Sequence, residues 1–108
     1  MNSKDLRTVS VGVVGCGYWG PKLIRNLHAL PGCDLHMVSD LRQDRLEHIQ
    51  GLYPSVQTTT SYAELLASPV EAVALATPVR THYAMARQAL LAGHAAPAQF
   101  GNDLVVLG

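Results

Sequence analysis

The sequence predicts an α/β domain in which a parallel sheet is covered by helices on both faces. Three observations predict it. Apolar runs of strand length alternate with segments of helical period, the pattern of repeated βαβ units. The runs TVSVGVV and AVALA carry no charge, as strands buried on both faces require. The first run also ends in a glycine-rich turn that leads straight into a helical segment. Crossovers between such parallel strands are right-handed almost without exception.

The elements follow in order. Residues 8–14 are β-branched and apolar and stop at Gly15, which reads as a buried strand. From Pro21 the period changes: Leu23, Ile24, Leu27 and Leu30 share one helical face. Pro21 suits a first turn, where its missing N–H costs nothing, and Pro31-Gly32 ends the helix. Residues 34–40, DLHMVSD, form a second strand closing on an acid. Residues 42–52 form a second helix, with Leu46, Ile49 and Tyr53 on one face and Gly51 and Pro54 at its end. Residues 56–60 form a short third strand. Ser61-Tyr62-Ala63-Glu64 is a capping box opening a short helix that ends near Ser68-Pro69. Residues 72–76 form the fourth strand, closed by Thr77-Pro78. Thr81 caps a helix over residues 82–92, with Gly93 at its C-cap.

Composition narrows the function classes. The 108 residues are 48% hydrophobic and 15% charged, enough apolar material for one modest core and too little chain for two ordinary domains. Eight basic residues balance eight acidic ones, without the basic surplus of an electrostatic nucleic-acid or acidic-lipid binder. No apolar run approaches the roughly 18 residues of a membrane span. The polar start, Met1 to Arg7, lacks an apolar leader core, so a cytoplasmic location is expected. Cys16 and Cys33 make neither a disulfide framework nor a metal site, and the five histidines have no ligand spacing. No metal is expected.

The segment Gly15-Cys16-Gly17-Tyr18-Trp19-Gly20 is G-x-G-x-x-G between a predicted strand and a predicted helix, and Asp40 stands twenty residues beyond Gly20 at the end of the next strand. In that context the pattern is a dinucleotide fingerprint of the Rossmann type. Gly15 permits the sharp turn out of the strand. Gly17 leaves room for a pyrophosphate, and Gly20 lets the helix pack closely. Free N–H groups at the helix start, with the positive end of its dipole, hold the anion. A P-loop is excluded, because G-x-x-x-x-G-K-[ST] is absent. Asp40 is suited to accept the adenosine ribose hydroxyls and to repel a 2′-phosphate, which favours NAD over NADP. The same residue could instead be a helix N-cap or a surface acid. Leu41 offers no cation, and Arg42 is the next in sequence that does.

The run VGVVGCGYWGPKLIRNL, then Asp40, TTTSYAELLASP and ALATPVRTHYAMARQALLAG, resembles the N-terminal domain of the Gfo/Idh/MocA oxidoreductases. The Gly-Tyr-Trp-Gly-Pro loop is similar to members acting on sugars and nucleotide sugars. The resemblance implies that Gly15, Cys16, Gly17, Tyr18 and Trp19 line the cofactor pyrophosphate, with Gly20 opening the helix behind them. It implies that Asp40 binds the adenine ribose with Leu41 beside it, and that Ala76, Thr77, Pro78 and His82 run past the nicotinamide end. On spacing alone, Thr81 and His82 read better as a helix cap and a first-turn residue.

Departures from the family pattern shape the functional expectation. The family continues into a fifth strand ending in Glu-Lys-Pro, whose lysine assists proton transfer, and then into a substrate domain built on a large sheet. Residues 94–108 read HAAPAQFGNDLVVLG instead, and no lysine follows Lys22. The expected organisation is therefore a dinucleotide-binding domain over residues 1–93 and a divergent tail over 94–108, with the substrate domain absent. The expected sheet is an incomplete doubly wound one of four or five strands in the order 3-2-1-4. LVVL is either a replacement fifth strand or an unrelated tail. With four strands, strand four is an edge with apolar faces partly uncovered, which predicts marginal stability, self-association or a partner chain. His82 has no visible orienting partner, so no catalytic residue is assigned. The expected activity is NAD binding without sugar turnover by the chain alone. The alternatives are a nucleotide-sensing module without redox chemistry and a vestigial fragment.

Overall fold

The computed structural model describes residues 8–15, 20–76, 84, 85, 87, 88, 91, 97–100 and 103–107. Its elements are β1 (Val9–Val14), α1 (Gly20–Ala29), β2 (Cys33–Ser39), α2 (Gln43–Leu52), β3 (Gln57–Thr59), α3 (Tyr62–Ala67), β4 (Ala72–Leu75), β5 (Pro97–Phe100) and β6 (Asp103–Leu107). Residues 84, 85, 87, 88 and 91 are helical. Boundaries differ from the sequence expectation by a residue or two; β2 ends at Ser39 and leaves Asp40 just beyond it.

The sheet runs β3-β2-β1-β4-β6-β5. Its first four strands are parallel in the expected order. Two expectations need correction. The sheet has six strands rather than four or five, and β4 is not its edge. β6 pairs antiparallel with β4, setting Leu104 opposite Leu75 and Val106 opposite Val73, and β5 pairs antiparallel with β6. The uncharged LVVL run pairs along the side of β4 that β1 leaves open. An antiparallel partner can be joined to its neighbour by a tight turn, whereas a parallel fifth strand needs a long crossover.

Strand side chains alternate between two cores. Val14, Val73 and Leu75 face α3, where they bury Leu65, Leu66 and Val70. Val13, Val38 and Ala74 face α1 and α2, burying Ile24, Leu46 and Ile49. Leu23 and Leu27 pack partly against this second core, as the helical face predicted, but Leu30 lies past the end of α1 and is exposed. Met37 breaks simple alternation. It belongs to the α3 side although Leu35, two residues earlier, lies on the other. The β1–β2 register explains this: Val11 pairs with Leu35 but Gly12 pairs with Met37, so His36 is an extra residue. Such a bulge shifts every following side chain to the opposite face.

Gly12, in β1, lies against Leu65 of α3. A Cβ built there would lie 3.0 Å from Leu65 Cδ2 and 3.2 Å from its Cγ. Gly51, in the last turn of α2, has open space around it. We expect Gly12→Val to cost roughly 1–3 kcal/mol through overpacking against Leu65. Gly51→Ala should gain about 0.5–1 kcal/mol through lost unfolded-state entropy. Urea titrations should move the two midpoints in opposite directions with unchanged slope.

Candidate dinucleotide site

The carboxyl ends of the parallel strands form one continuous edge. Three backbone bonds extend the ladder one residue past the strands: Asp40 N–H to Thr59 C=O at 3.2 Å, Gly15 N–H to Ser39 C=O at 2.7 Å, and Ala76 N–H to Val14 C=O at 2.7 Å. Asp40, Gly15 and Ala76 are thereby set in a row. From β1 the chain winds outward through β2 and β3, then returns to β4 on the other side. Gly15 and Ala76 thus flank the point where the winding reverses, where open α/β sheets bind ligands.

Gly15 has φ 102°, a conformation that a Cβ strongly disfavours, so the first glycine of the fingerprint is required by the turn itself. Gly20 is buried at the start of α1. No acidic side chain stands in the first turn of α1 to offset the positive end of its dipole. Cys16, Gly17, Tyr18 and Trp19 lie outside the described residues, as do Thr77, Pro78 and His82. Ala76 is half-buried and Leu41 is 91% exposed.

The side chain of Asp40 is only 8% exposed. Its Oδ1 accepts the Arg42 backbone N–H at 2.8 Å, an Asx turn that fixes the carboxylate at the strand end. It does not cap α2, whose N-cap residue is Arg42. The nearest cation in sequence is turned elsewhere: the Arg42 guanidinium binds Asp44 at 2.7 and 3.1 Å. Arg45 faces Asp40 instead, with Nη1 3.9 Å from Oδ2. Sequence reasoning missed Arg45, although its three-residue spacing from Arg42 on a helix start was a usable signal. The exposed Arg42–Asp44 pair raises the guanidinium and lowers the carboxyl from their ordinary ranges. Among the described residues no three potential metal ligands stand together.

The expected capping box takes an altered form. Ser61 Oγ accepts the Glu64 N–H at 3.1 Å, as the motif requires. The Glu64 carboxylate does not return the bond to the Ser61 backbone. It binds the hydroxyl of Thr59, which itself accepts the Ser61 N–H at 3.0 Å. Thr59 is the residue whose carbonyl holds the Asp40 N–H. Nearby, burial pushes the Tyr62 phenol up to about 12, and its hydroxyl donates to the Met85 carbonyl at 2.8 Å. Cys33, half-buried beside Asp34, has its thiol pushed up by desolvation first and by that carboxylate second, which suppresses the nucleophilic thiolate. A shallow groove of about 390 Å³ between α3 and residues 88 and 91 includes none of Gly15, Asp40 or Ala76. No described helix is long and apolar enough to cross a membrane.

Comparison with known proteins identifies the family and the fold. The family model of the Gfo/Idh/MocA type, described as an oxidoreductase family with an NAD-binding Rossmann fold, matches residues 9–96. A "Glycosyl hydrolase family 109 protein" of Streptomyces coelicolor is 35% identical over 96 residues, covering 80% of this chain and 20% of the relative. Among solved structures, GenD2 from gentamicin A biosynthesis, in complex with NAD, is 33% identical with a TM-score of 0.74, covering 81% of this chain and 25% of that one. KijD10, a 3-ketoreductase from Actinomadura kijaniata in complex with NADP and TDP-benzene, is 26% identical with a TM-score of 0.73, covering 80% of this chain and 27% of that one. The chain therefore spans about a quarter or less of the length of these relatives.

The Tyr62 contact gives a pH prediction. Its folded pKa lies above the ordinary tyrosine value of about 10, so the folded state keeps the phenol proton longer than the unfolded state does. This contribution is complete below pH ~10 and is lost as pH rises toward the folded value of about 12. Thermal melts between pH 9 and about 12 should show a fall that Tyr62→Phe reduces, and at neutral pH that variant should lose about 0.5–1.5 kcal/mol.

Proposed function

The chain belongs to the Gfo/Idh/MocA oxidoreductase family through its NAD-binding Rossmann domain, and from that membership we propose that it binds NAD along the carboxyl edge of its sheet. One observation carries the reading: a glycine held at positive φ by its turn stands beside a buried acid on the adjacent strand end. The residues present fit a dinucleotide. Gly15, Cys16, Gly17, Tyr18, Trp19 and Gly20 would surround the pyrophosphate. Asp40 would take the adenosine ribose with Leu41 beside it, and Ala76, Thr77, Pro78 and His82 would border the nicotinamide. When bound, the nicotinamide supplies hydride-transfer chemistry.

Each residue has a part it can perform alone. Backbone N–H groups at the start of α1 point positive charge at a pyrophosphate, with no lysine needed in the loop. Asp40 arrives pre-oriented, because the Asx turn and the bond to Thr59 have already restricted it. Its negative charge opposes a 2′-phosphate, and Arg45 at 3.9 Å offsets part of that charge. NAD is therefore favoured over NADP, although KijD10 shows the fold carrying NADP. The proposed substrate class of the family domain is a sugar or nucleotide sugar, supported by the complex of the 3-ketoreductase KijD10 with NADP and TDP-benzene.

Sugar oxidation also needs a base at the reacting hydroxyl and a wall that holds the sugar in place. No lysine follows Lys22, and the sequence present spans about a quarter of the related structures. The 108 residues alone are therefore proposed to bind cofactor without turning over sugar.

Thermal melting tests the reading, because a ligand that binds only the folded state raises the midpoint. NAD should raise it, and isothermal titration should find NADP weaker by about tenfold, a charge effect worth ~1.4 kcal/mol. Asp40→Ala should weaken NAD by about tenfold or more and erase the difference between the two dinucleotides. Tighter binding of NADP than NAD by the unaltered chain would contradict the proposed selectivity.

A further inference from the structure

We propose that Glu64, on α3, is a positioning residue for Asp40 and so tunes recognition of the adenosine ribose; the inference rests on the dinucleotide reading above. The sequence marks Glu64 only as the fourth residue of a capping box. The structure gives its carboxylate a different task. A capping-box glutamate ordinarily reaches back to the N-cap backbone N–H. Here that N–H goes to the Thr59 hydroxyl, and the same hydroxyl meets Glu64.

Donor and acceptor chemistry makes this arrangement directional. A hydroxyl has one proton to give, and an ionised carboxylate can only accept. With the Ser61 N–H donating into the Thr59 oxygen, the Thr59 proton goes to Glu64. Ser61 Oγ then accepts the Glu64 N–H and closes the ring. Thr59 is buried, and its side chain is held at both its proton and its lone pair.

Thr59 connects this ring to the site. It pairs with Ser39 in the β2–β3 register, and its carbonyl accepts the Asp40 N–H at 3.2 Å. β3 has only three residues, so it has little ladder of its own to resist displacement. The ring from α3 anchors its last residue, and that residue holds the backbone of the ribose acid. The carboxylate of Asp40 is restrained from the other side by the Arg42 N–H. Glu64 thus acts on the ligand through two intervening residues, Thr59 and Asp40.

A positioning role makes a claim that a purely structural one does not. Loosening Asp40 should weaken the contacts it makes to ribose hydroxyls and leave the pyrophosphate contacts at α1 unaffected. The measured quantity is the ratio of affinities for NAD and for its analogue lacking the adenosine 2′-hydroxyl, titrated against the whole chain. The unaltered chain should prefer NAD by about tenfold, the scale of one hydrogen bond to a charged group. Glu64→Ala should shrink that preference to about threefold or less while its affinity for the 2′-deoxy analogue stays within about twofold of the unaltered chain.

Glu64→Gln retains a side-chain oxygen that can accept the Thr59 proton and should restore most of the preference. Thr59→Ser should behave as the unaltered chain does, and Thr59→Val should behave as Glu64→Ala. A normal tenfold preference in folded Glu64→Ala overturns the inference and leaves the dinucleotide reading intact. Should Glu64→Ala not fold, Thr59→Val against Thr59→Ser decides the same question. Absence of NAD binding by the folded unaltered chain, or equal affinity for both dinucleotides, overturns the Asp40 reading and the inference with it.

Discussion

The bond from the Gly15 N–H to the Ser39 carbonyl is the constraint on which the site depends. It locks the first residue beyond β1 to the last residue of β2. Asp40, immediately after Ser39, must then lie beside the glycine turn. The bond forms while the chain is already leaving the strand, which requires Gly15 to enter positive φ. A parallel ladder thus converts two positions far apart in sequence into neighbours. The same ladder continues to Thr59 on one side and to Ala76 on the other.

Packing holds that edge rigid from both faces. α1 and α2 cover one core and α3 covers the other, so the strand ends are set by buried side chains on each side of the sheet. The bulge at His36 allows both cores to be filled. Without the extra residue, Met37 and Val38 would present their side chains to the wrong faces. The close approach of Leu65 to Gly12 places α3 near enough for its first turn to reach the end of β3. Fold and site are therefore coupled through α3 as well as through the strands.

The β6–β5 hairpin changes the character of the outer part of the sheet. It covers the backbone edge of β4 with antiparallel strands, where the first four strands are parallel. The carboxyl ends of β1, β2 and β3 are unaffected, since the added strands lie beyond β4. The proposed cofactor site and the strands that complete the sheet are thus separate parts of the fold. The residues of the proposed site lie within the family match at 9–96, while β5 and β6 lie outside it.

Much of this could be read from residue order alone, because local physics decided it. Runs of β-branched residues, the helical period after Pro21 and the spacing of Gly15 to Asp40 each act within a few residues or one βαβ unit. They specified the parallel order of four strands and the glycine and acid of the proposed site. Tertiary structure decided what depends on partners remote in sequence. The bulge at His36 answers to β1, the need for glycine at position 12 answers to Leu65, and the facing of Arg45 rather than Arg42 toward Asp40 follows from how α2 leaves its Asx turn. The diversion of Glu64 from Ser61 to Thr59, and the choice of an antiparallel course for LVVL, were likewise settled only when distant backbone groups met. Periodicity shows which residues are apolar together; it carries no record of which unpaired N–H or carbonyl will stand opposite them once the sheet has formed.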